Sequence, residues 1–316
     1  MLRIGLLGAG DAGRHHARAL AAAHAAGELA WTAVGSRDPA TLLARRGELG
    51  MPEDAAGVTT DELLTGLRCD AVIVATPDGL HHEHALRALG AGKHVLVEKP
   101  LAISLVHASD LVAAARTSDR ALQAGYHLRH HAGHELVREQ LEGLVGTLRT
   151  IDVRWAWPDP AVAGWRACGD GARWWAMAAL GTHAIDLALW FAGAAVTETA
   201  CLREPAQGMD RACEAILRFS TGVLARLSVA VTHRARPTLT LIGDRGELEC
   251  QDTLGARGAG TLVHRVKHET WDLHFVAEDP YLRQLRAFVA RCAGEGSRID
   301  AQAIANVELL HRLAPP

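Results

Sequence analysis

From residue 3 to residue 126, short apolar runs alternate with stretches of helical composition. RIGLLGAG (residues 3–10) is a buried-strand run that ends in glycine, and the alanine-rich segment after it predicts a helix. A second apolar run, LAWTAVGS, closes at Ser36. Asp38-Pro39 then reads as an N-cap with proline in the first helical position, opening a helix through ATLLARRGEL. CDAVIVATP is continuously apolar and rich in valine and isoleucine, as a parallel strand covered on both faces should be, and HHEHALRALGAG predicts a helix closed by glycine. KHVLVEKP, LVHASDLVAAARTS and RALQAGY continue the rhythm. Strand-helix alternation of this kind predicts a doubly wound parallel sheet with right-handed crossovers.

Beyond residue 126 the period changes. Residues 133–144 keep a helical pattern, but TLRTIDVRWAW, TETACLRE, EAILRFSTGVLARLSVAVT and PTLTLIGDRGELECQD alternate polar with apolar positions. Turn signals such as Ser220-Thr221-Gly222 and Gly243-Asp244-Arg245-Gly246 separate these runs, which predicts an antiparallel sheet with one packed face and one freer face. WWAMAALGTHAIDLALWFAG (residues 174–193) is long enough for a helix packed on that sheet, and two amphipathic helices end the chain. The expected fold class is therefore α/β: an N-terminal Rossmann-type doubly wound parallel sheet and a C-terminal α/β domain with a large, mostly antiparallel open sheet. Boundaries fall at residues 1–125 for the first domain and 126–316 for the second. The terminal helices are expected to pack back on the first domain.

Composition narrows the function classes. At 316 residues with 49% hydrophobic content the chain can bury two cores, and 33 basic against 36 acidic residues provide no field for gathering nucleic acid. The six cysteines are scattered singly, without a CxxC pair, and read as ordinary reduced thiols. No run reaches the roughly 18 uninterrupted apolar residues of a membrane helix, and MLRIGLLGAG runs straight into a glycine pattern that belongs to a fold. A cytoplasmic protein with a small-molecule partner, and without nucleic acid or membrane, is expected.

That glycine pattern is the first piece of chemistry. Gly8, Gly10 and Gly13 form GxGxxG between a strand and a helix, with Asp11 and Ala12 opening the helix. The first glycine permits a tight turn, the second lets backbone approach a pyrophosphate, and the third lets helix and strand pack closely, while the free N–H groups of the helix face the anion. An acid about 20 residues farther on would accept from a ribose 2′-hydroxyl. Ser36-Arg37 stands there instead, a hydroxyl and a guanidinium that suit the 2′-phosphate of NADP better than NAD.

ATPDGLHHEHALRALGAGKHVLVEKPLA resembles the signature of the Gfo/Idh/MocA oxidoreductases, the group of glucose-fructose oxidoreductase and inositol dehydrogenase, and GYHLR, GTHAIDLALWFAG and IGDRGELE extend the resemblance over most of the chain. The resemblance implies a Rossmann domain followed by an open-sheet domain used for homodimer or homotetramer contacts. It places Lys99 near the nicotinamide and the reacting carbon, where an ammonium can polarise a carbonyl, followed by a proline that is often cis. Thr76, Pro77 and His81 would line the cofactor side with Glu98 beside the nicotinamide. Tyr126, His127 and Arg129 would form the floor of the substrate cleft.

In residues 174–193 His183 matches the family's histidine and is the acid/base candidate. The acid usually four residues earlier is absent, replaced by Ala179, and Trp174-Trp175 stands in place of the usual glycine pair. Asp186 is read as an orienting or structural group. Trp174 and Thr182 complete the expected substrate-facing set; the tryptophans 155, 157, 165, 174 and 175 read as core, with one or two able to stack on a ring substrate. His130 and His134 have metal-ligand spacing, but no convergent third ligand accompanies them and no metal is expected. The chemistry expected is hydride transfer between a nicotinamide and a carbonyl or alcohol, conceivably an imine or amine, of a small sugar-like or cyclic substrate. Two other readings of the same residues are a cofactor-binding sensor, and a redox-cycling eliminase or hydrolase of the same fold.

Overall fold

The computed structural model describes residues 1–159, 174–206 and 208–314. Trp165, named above, and Cys168, one of the six cysteines, lie outside the described residues. The chain forms two compact units. One comprises residues 1–125 with 281–304, and the other residues 126–280 with 305 onward.

The first unit is built on six strands: β1 (Arg3–Leu7), β2 (Ala30–Ser36), β3 (Ala56–Thr59), β4 (Ala71–Val74), β5 (His94–Glu98) and β6 (Leu122–Gly125). All are parallel, in the order β3-β2-β1-β4-β5-β6, so the chain winds outward from β1 in both directions and reverses between β1 and β4. Crevices at such a reversal, outside the carboxyl ends of the strands, are where α/β sheets bind ligands. Every residue of β4, β5 and β6 is buried, which is why their sequences run apolar without alternation.

Helix α1 (Asp11–Ala25) follows the glycine turn. Asp38 accepts from the Ala40 and Thr41 amides and Pro39 takes the first turn, as the N-cap signal predicts. The single helix expected there is two short ones, α2 (Pro39–Ala44) and α3 (Arg46–Leu49), broken at Arg45, whose φ of -101° is not helical. Helices α4 (Thr60–Thr65), α5 (His81–Gly90) and α6 (Leu105–Ser118) complete the alternation.

The second unit opens with α7 (Ala132–Val145) and carries β7 (Leu148–Ala156), α8 (Thr182–Ala192), β8 (Val196–Glu204), β9 (Ala212–Phe219), β10 (Leu224–Ala230), β11 (Thr238–Gly243), β12 (Glu247–Gln251), β13 (Thr261–Val266) and β14 (Glu269–Leu273). Its sheet runs β14-β13-β12-β11-β7-β10-β9-β8. Neighbours are antiparallel except β7 and β10, which pair in parallel because the β8-β9-β10 meander returns alongside β7. The last two strands carry almost no periodic signal. β14 is exposed along nearly its whole length, so its residues had no buried face to mark in the sequence.

In β9, Cys213, Ala215, Leu217 and Phe219 face the core while Glu214, Ile216 and Arg218 face outward. Helix α8 is buried on all sides from Thr182 to Leu189, a core helix of the second unit in contact with β7 and β10. Two helices end the chain, α9 (Pro280–Ala293) and α10 (Gln302–Leu313). Arg286 on α9 pairs with Glu28 inside the first unit.

Candidate active site

In the first unit the glycine turn sits at the reversal point. Gly8 adopts φ +95°, and a β-carbon there would stand 2.5 Å from the carbonyl oxygen of Ala75, just past β4. Only glycine fits both the conformation and the approach. A β-carbon at Gly13 would collide with the Gly8 carbonyl, so the helix could not lie so close to the turn. Gly10 is different: nothing lies within 4 Å of its missing side chain, and no side chain caps α1. The turn therefore offers open backbone and uncapped helix N–H groups to a ligand, the chemistry a pyrophosphate requires. Asp11 is 96% exposed and pairs with Arg14, and Ala12 lies beside it on the first turn.

At the end of β2, the Ser36 hydroxyl accepts from the Asp38 amide and Arg37 is exposed. Asp38 is spent on the cap of α2, where hydrogen bonds from the Thr41 hydroxyl and amide hold its carboxyl below the usual range. Sequence reasoning missed Arg45. Its two terminal nitrogens donate to the Ala9 carbonyl in the glycine turn at 3.3 Å, and Glu48 holds it through paired hydrogen bonds of 2.8 and 2.9 Å. The break between α2 and α3 is the local signal that could have drawn attention to it.

His81 is fully buried, its ring nitrogens 2.8 Å from the Thr76 and Pro100 carbonyl oxygens. It ties the turn after β4 to the turn after β5. Thr76 and Pro77 are half-buried, and the Thr76 hydroxyl lies 3.1 Å from His84.

Glu98, at the end of β5, is buried; one carboxylate oxygen stands 2.8 Å from His16 of α1 and the other accepts the Lys99 amide at 3.0 Å. Gly125 makes room for it, since a β-carbon there would crowd the Glu98 side chain at 3.2 Å. The Lys99–Pro100 peptide is cis, and Lys99 is half-buried. Lys99 and the glycine turn thus occupy the same carboxyl edge of one sheet.

The second unit assembles a different cluster around His183. Residues 177–181 form a π-helical turn that leads into α8. The buried Asp210 carboxylate accepts from the Trp175 amide at 3.1 Å and the Met177 amide at 2.7 Å, capping this helical run from a distant strand end. Desolvation pushes the Asp210 carboxyl above its ordinary value. Asp210 was also missed, because its partners are backbone amides 33 and 35 positions away.

His183, 4% exposed, is boxed by rings: His127 edge-on at 5.0 Å, Trp155 at 5.8 Å and Tyr126 edge-on at 6.0 Å. Below it the Tyr126 hydroxyl lies 2.9 Å from Thr182 Oγ1, Thr182 donates to Asn306 Oδ1 at 2.9 Å, and Asn306 donates back to the Thr182 carbonyl. Since the Thr182 proton goes to Asn306, the Tyr126 hydroxyl donates to Thr182. Arg129 donates through Nε and Nη2 to both carboxylate oxygens of Asp186, which is 1% exposed, and its guanidinium lies over the Tyr126 ring. Asp186 is thus the counter-charge of Arg129. Trp174 is buried, donating its indole N–H to the Ala314 carbonyl and meeting His311 edge-on.

His130 and His134 do not converge on one point. His134 bonds the Leu128 carbonyl and Thr253, while His130 faces Glu135. Among the described residues no group of three or more His, Cys, Asp or Glu could hold a metal, and no helix is long and apolar enough to cross a membrane.

An open glycine turn at the reversal of a parallel sheet, with a lysine at the same edge, defines a dinucleotide-dependent enzyme of the α/β class. Comparison with known proteins gives the family. Residues 2–126 match the profile described as the oxidoreductase family, NAD-binding Rossmann fold, and residues 134–249 match the GFO/IDH/MocA C-terminal domain. The chain belongs to the Gfo/Idh/MocA oxidoreductases.

Among curated proteins it is 30% identical over 314 residues to a dTDP-3,4-didehydro-2,6-dideoxy-alpha-D-glucose 3-reductase from Saccharopolyspora spinosa, covering 96% of this chain and 91% of that one. It is 29% identical to a 1,5-anhydro-D-fructose reductase from Ensifer adhaerens, over 80% and 79% of the two chains. Among solved structures, a 3-ketoreductase from Actinomadura kijaniata in complex with NADP and TDP-benzene superposes with a TM-score of 0.84 at 25% identity, covering 99% of this chain and 96% of that one. An aldose-aldose oxidoreductase from Caulobacter crescentus shares the fold with a TM-score of 0.86 at 20% identity.

Proposed function

We propose that this protein is an NADP-dependent reductase of a carbonyl on a sugar-like substrate, free or carried on a nucleotide. The observation that carries the reading is the placement of Lys99 on the sheet edge that holds the open glycine turn. Gly8, Gly10, Asp11, Ala12 and Gly13 would hold the pyrophosphate, and Ser36 and Arg37 would hold the 2′-phosphate. The bound nicotinamide supplies the hydride. Lys99 donates a hydrogen bond to the carbonyl oxygen as negative charge grows there, and His183 trades the proton.

Thr76, Pro77, His81 and Glu98 support the cofactor side. Glu98 and His81 act through their buried contacts to the Lys99 amide and the Pro100 carbonyl. The second unit takes the substrate. His127 contributes directly, whereas Tyr126, Thr182, Arg129 and Trp174 act through the hydrogen bonds and ion pair that fix the His183 surroundings. The names of the relatives support a sugar carbonyl, and the solved 3-ketoreductase supports NADP.

The protein is cytoplasmic and a homodimer or homotetramer through the outer face of the second sheet, where Leu202 is 79% and Ile216 51% exposed. Light scattering of the purified chain tests the assembly, and a monomer rejects it. The function is tested by titrating NADPH and NADH against the protein's fluorescence and following NADPH oxidation with keto sugars, free and nucleotide-linked. Tight NADPH binding with consumption on one of them is expected. Binding without turnover across the panel would mark a sensor, and substrate loss at constant free NADPH would mark a redox-cycling eliminase or hydrolase.

A further inference from the structure

Two of the cysteines that stand twelve positions apart in the sequence meet in the fold. Cys201 on β8 pairs with Ala215 of β9, and Arg203 pairs with Cys213, so the two cysteines are diagonal neighbours on one face of the sheet. Their sulfurs are 3.0 Å apart, inside the ordinary contact separation of two sulfur atoms. A disulfide bond is about 2.05 Å long, so closing one requires a further approach of roughly 1 Å. The alternation of β8 puts Cys201 on the side opposite the exposed Leu202, away from the outer face assigned above to assembly.

The two thiols are not equivalent. Cys201 is half-buried and within reach of a small molecule, while Cys213 is 1% exposed behind it. The Cys213 thiol hydrogen-bonds to Cys201 and Arg203 adds positive charge, which together favour the Cys201 thiolate and hold its pKa below the usual thiol value. The same contact and burial push Cys213 up. The other described cysteines run the opposite way from Cys201: burial raises Cys69 and Cys250, and lifts Cys292 to about 12. Reactivity follows thiolate character and access.

We propose that Cys201 and Cys213 form a peroxide-reactive dithiol, with Cys201 as the attacking and Cys213 as the resolving cysteine. The Cys201 thiolate attacks the O–O bond of a hydroperoxide, forming a sulfenic acid and releasing an alkoxide or hydroxide that takes up a proton. Cys213 then loses its proton and attacks the sulfenic sulfur. The S–S bond forms as hydroxide leaves, and the Cys213 proton converts that hydroxide to water. Two thiols lose two electrons and the peroxide gains them. The bridge ties the edge strand β8 to β9, which starts two residues after Asp210, the carboxylate that caps the helical run ahead of His183.

The test uses the full chain with Cys168→Ser, treated with equimolar hydrogen peroxide at neutral pH. The intact mass is expected to fall by two hydrogens, peptide mapping to recover one cross-link joining Cys201 to Cys213, and dithiothreitol to reverse it. Cys213→Ser should trap the Cys201 sulfenic acid for dimedone labelling, and Cys201→Ser should abolish the bridge. Iodoacetamide should label Cys201 at least about tenfold faster than Cys69, Cys250 or Cys292. Alanine replaces serine at either position if circular dichroism shows a serine variant unfolded. Peroxide that adds oxygen without bridging, a bridge between other cysteines, or equal alkylation rates at all sites would each overturn the proposal.

Discussion

The cofactor end of the first unit is made largely of backbone, whereas the His183 end of the second is made of side chains that reach across long stretches of chain. Gly8, Gly10 and Gly13 act through the absence of a side chain, and Glu98 and His81 hold Lys99 and Pro100 by peptide groups. Around His183 the bonds join Tyr126 to Thr182, Arg129 to Asp186, Thr182 to Asn306 and Trp174 to Ala314, pairs 56 to 140 positions apart. A backbone-built site tolerates change wherever conformation is kept. A buried side-chain network fails when one member leaves its partner unsatisfied.

The comparison breaks first at Lys99, the side chain proposed above to act on the carbonyl. Lys99→Met keeps the stem and removes the charge, so turnover should fall about a thousandfold, roughly 4 kcal/mol of transition-state stabilisation. NADPH affinity by fluorescence should stay within a factor of a few. A variant that keeps more than a tenth of wild-type turnover would take Lys99 out of that role.

In the second unit the largest effect should be on stability. Arg129→Met removes the guanidinium that faces the buried Asp186 carboxylate, and removing one partner of a buried ion pair costs about 3 to 5 kcal/mol. Urea denaturation should show it, with Asp186→Asn in the same background recovering part of the loss. If Arg129→Met is neutral, the pair does not hold the network together.

Acid should act on the second unit through one fully buried ring. Burial, with neighbouring His131, pushes His134 of the second unit down to about 3. Its folded value is below the ordinary value of about 6.5, so the unfolded chain takes up the proton first. Stability is full above the unfolded value and falls as pH drops below it, by about 3 kcal/mol between pH 7 and pH 4 from this group alone. Denaturation curves across that range check it: His134→Asn should flatten the slope, and an unchanged slope would assign acid sensitivity to other groups.

The smallest effect sharpens the cofactor end. Arg37→Ala should weaken NADPH binding tenfold to a hundredfold, about 1.5 to 3 kcal/mol for one charge-assisted contact, and leave NADH unchanged. An equal loss for both cofactors would mean that Arg37 does not read the 2′-phosphate, and would turn attention to Arg45 beside Ala9.

What could be read from the chain alone follows the same division. The parallel sheet, the glycine turn, the Asp38 cap, α7 and most strands of the second sheet were legible, because each is written in residues within one turn or one strand of each other. Strands β13 and β14 were not, since strands with little buried face have little periodicity. The break at Arg45 was not, since propensity favours one helix through ATLLARRGEL and the contact with Ala9 lies 36 positions away.

The sequence by itself determined the family, the nicotinamide chemistry and the candidates Lys99 and His183, because local motifs encode turns, strand ends and helix starts. Only the tertiary structure decided that Asp186 neutralises Arg129, that the Tyr126 hydroxyl donates a hydrogen bond to Thr182, that Asp210 caps the helical run before His183, and that Cys201 touches Cys213. Those facts depend on which distant residues share a buried volume, where an unpaired polar group is costly and its partner is fixed by packing rather than by spacing.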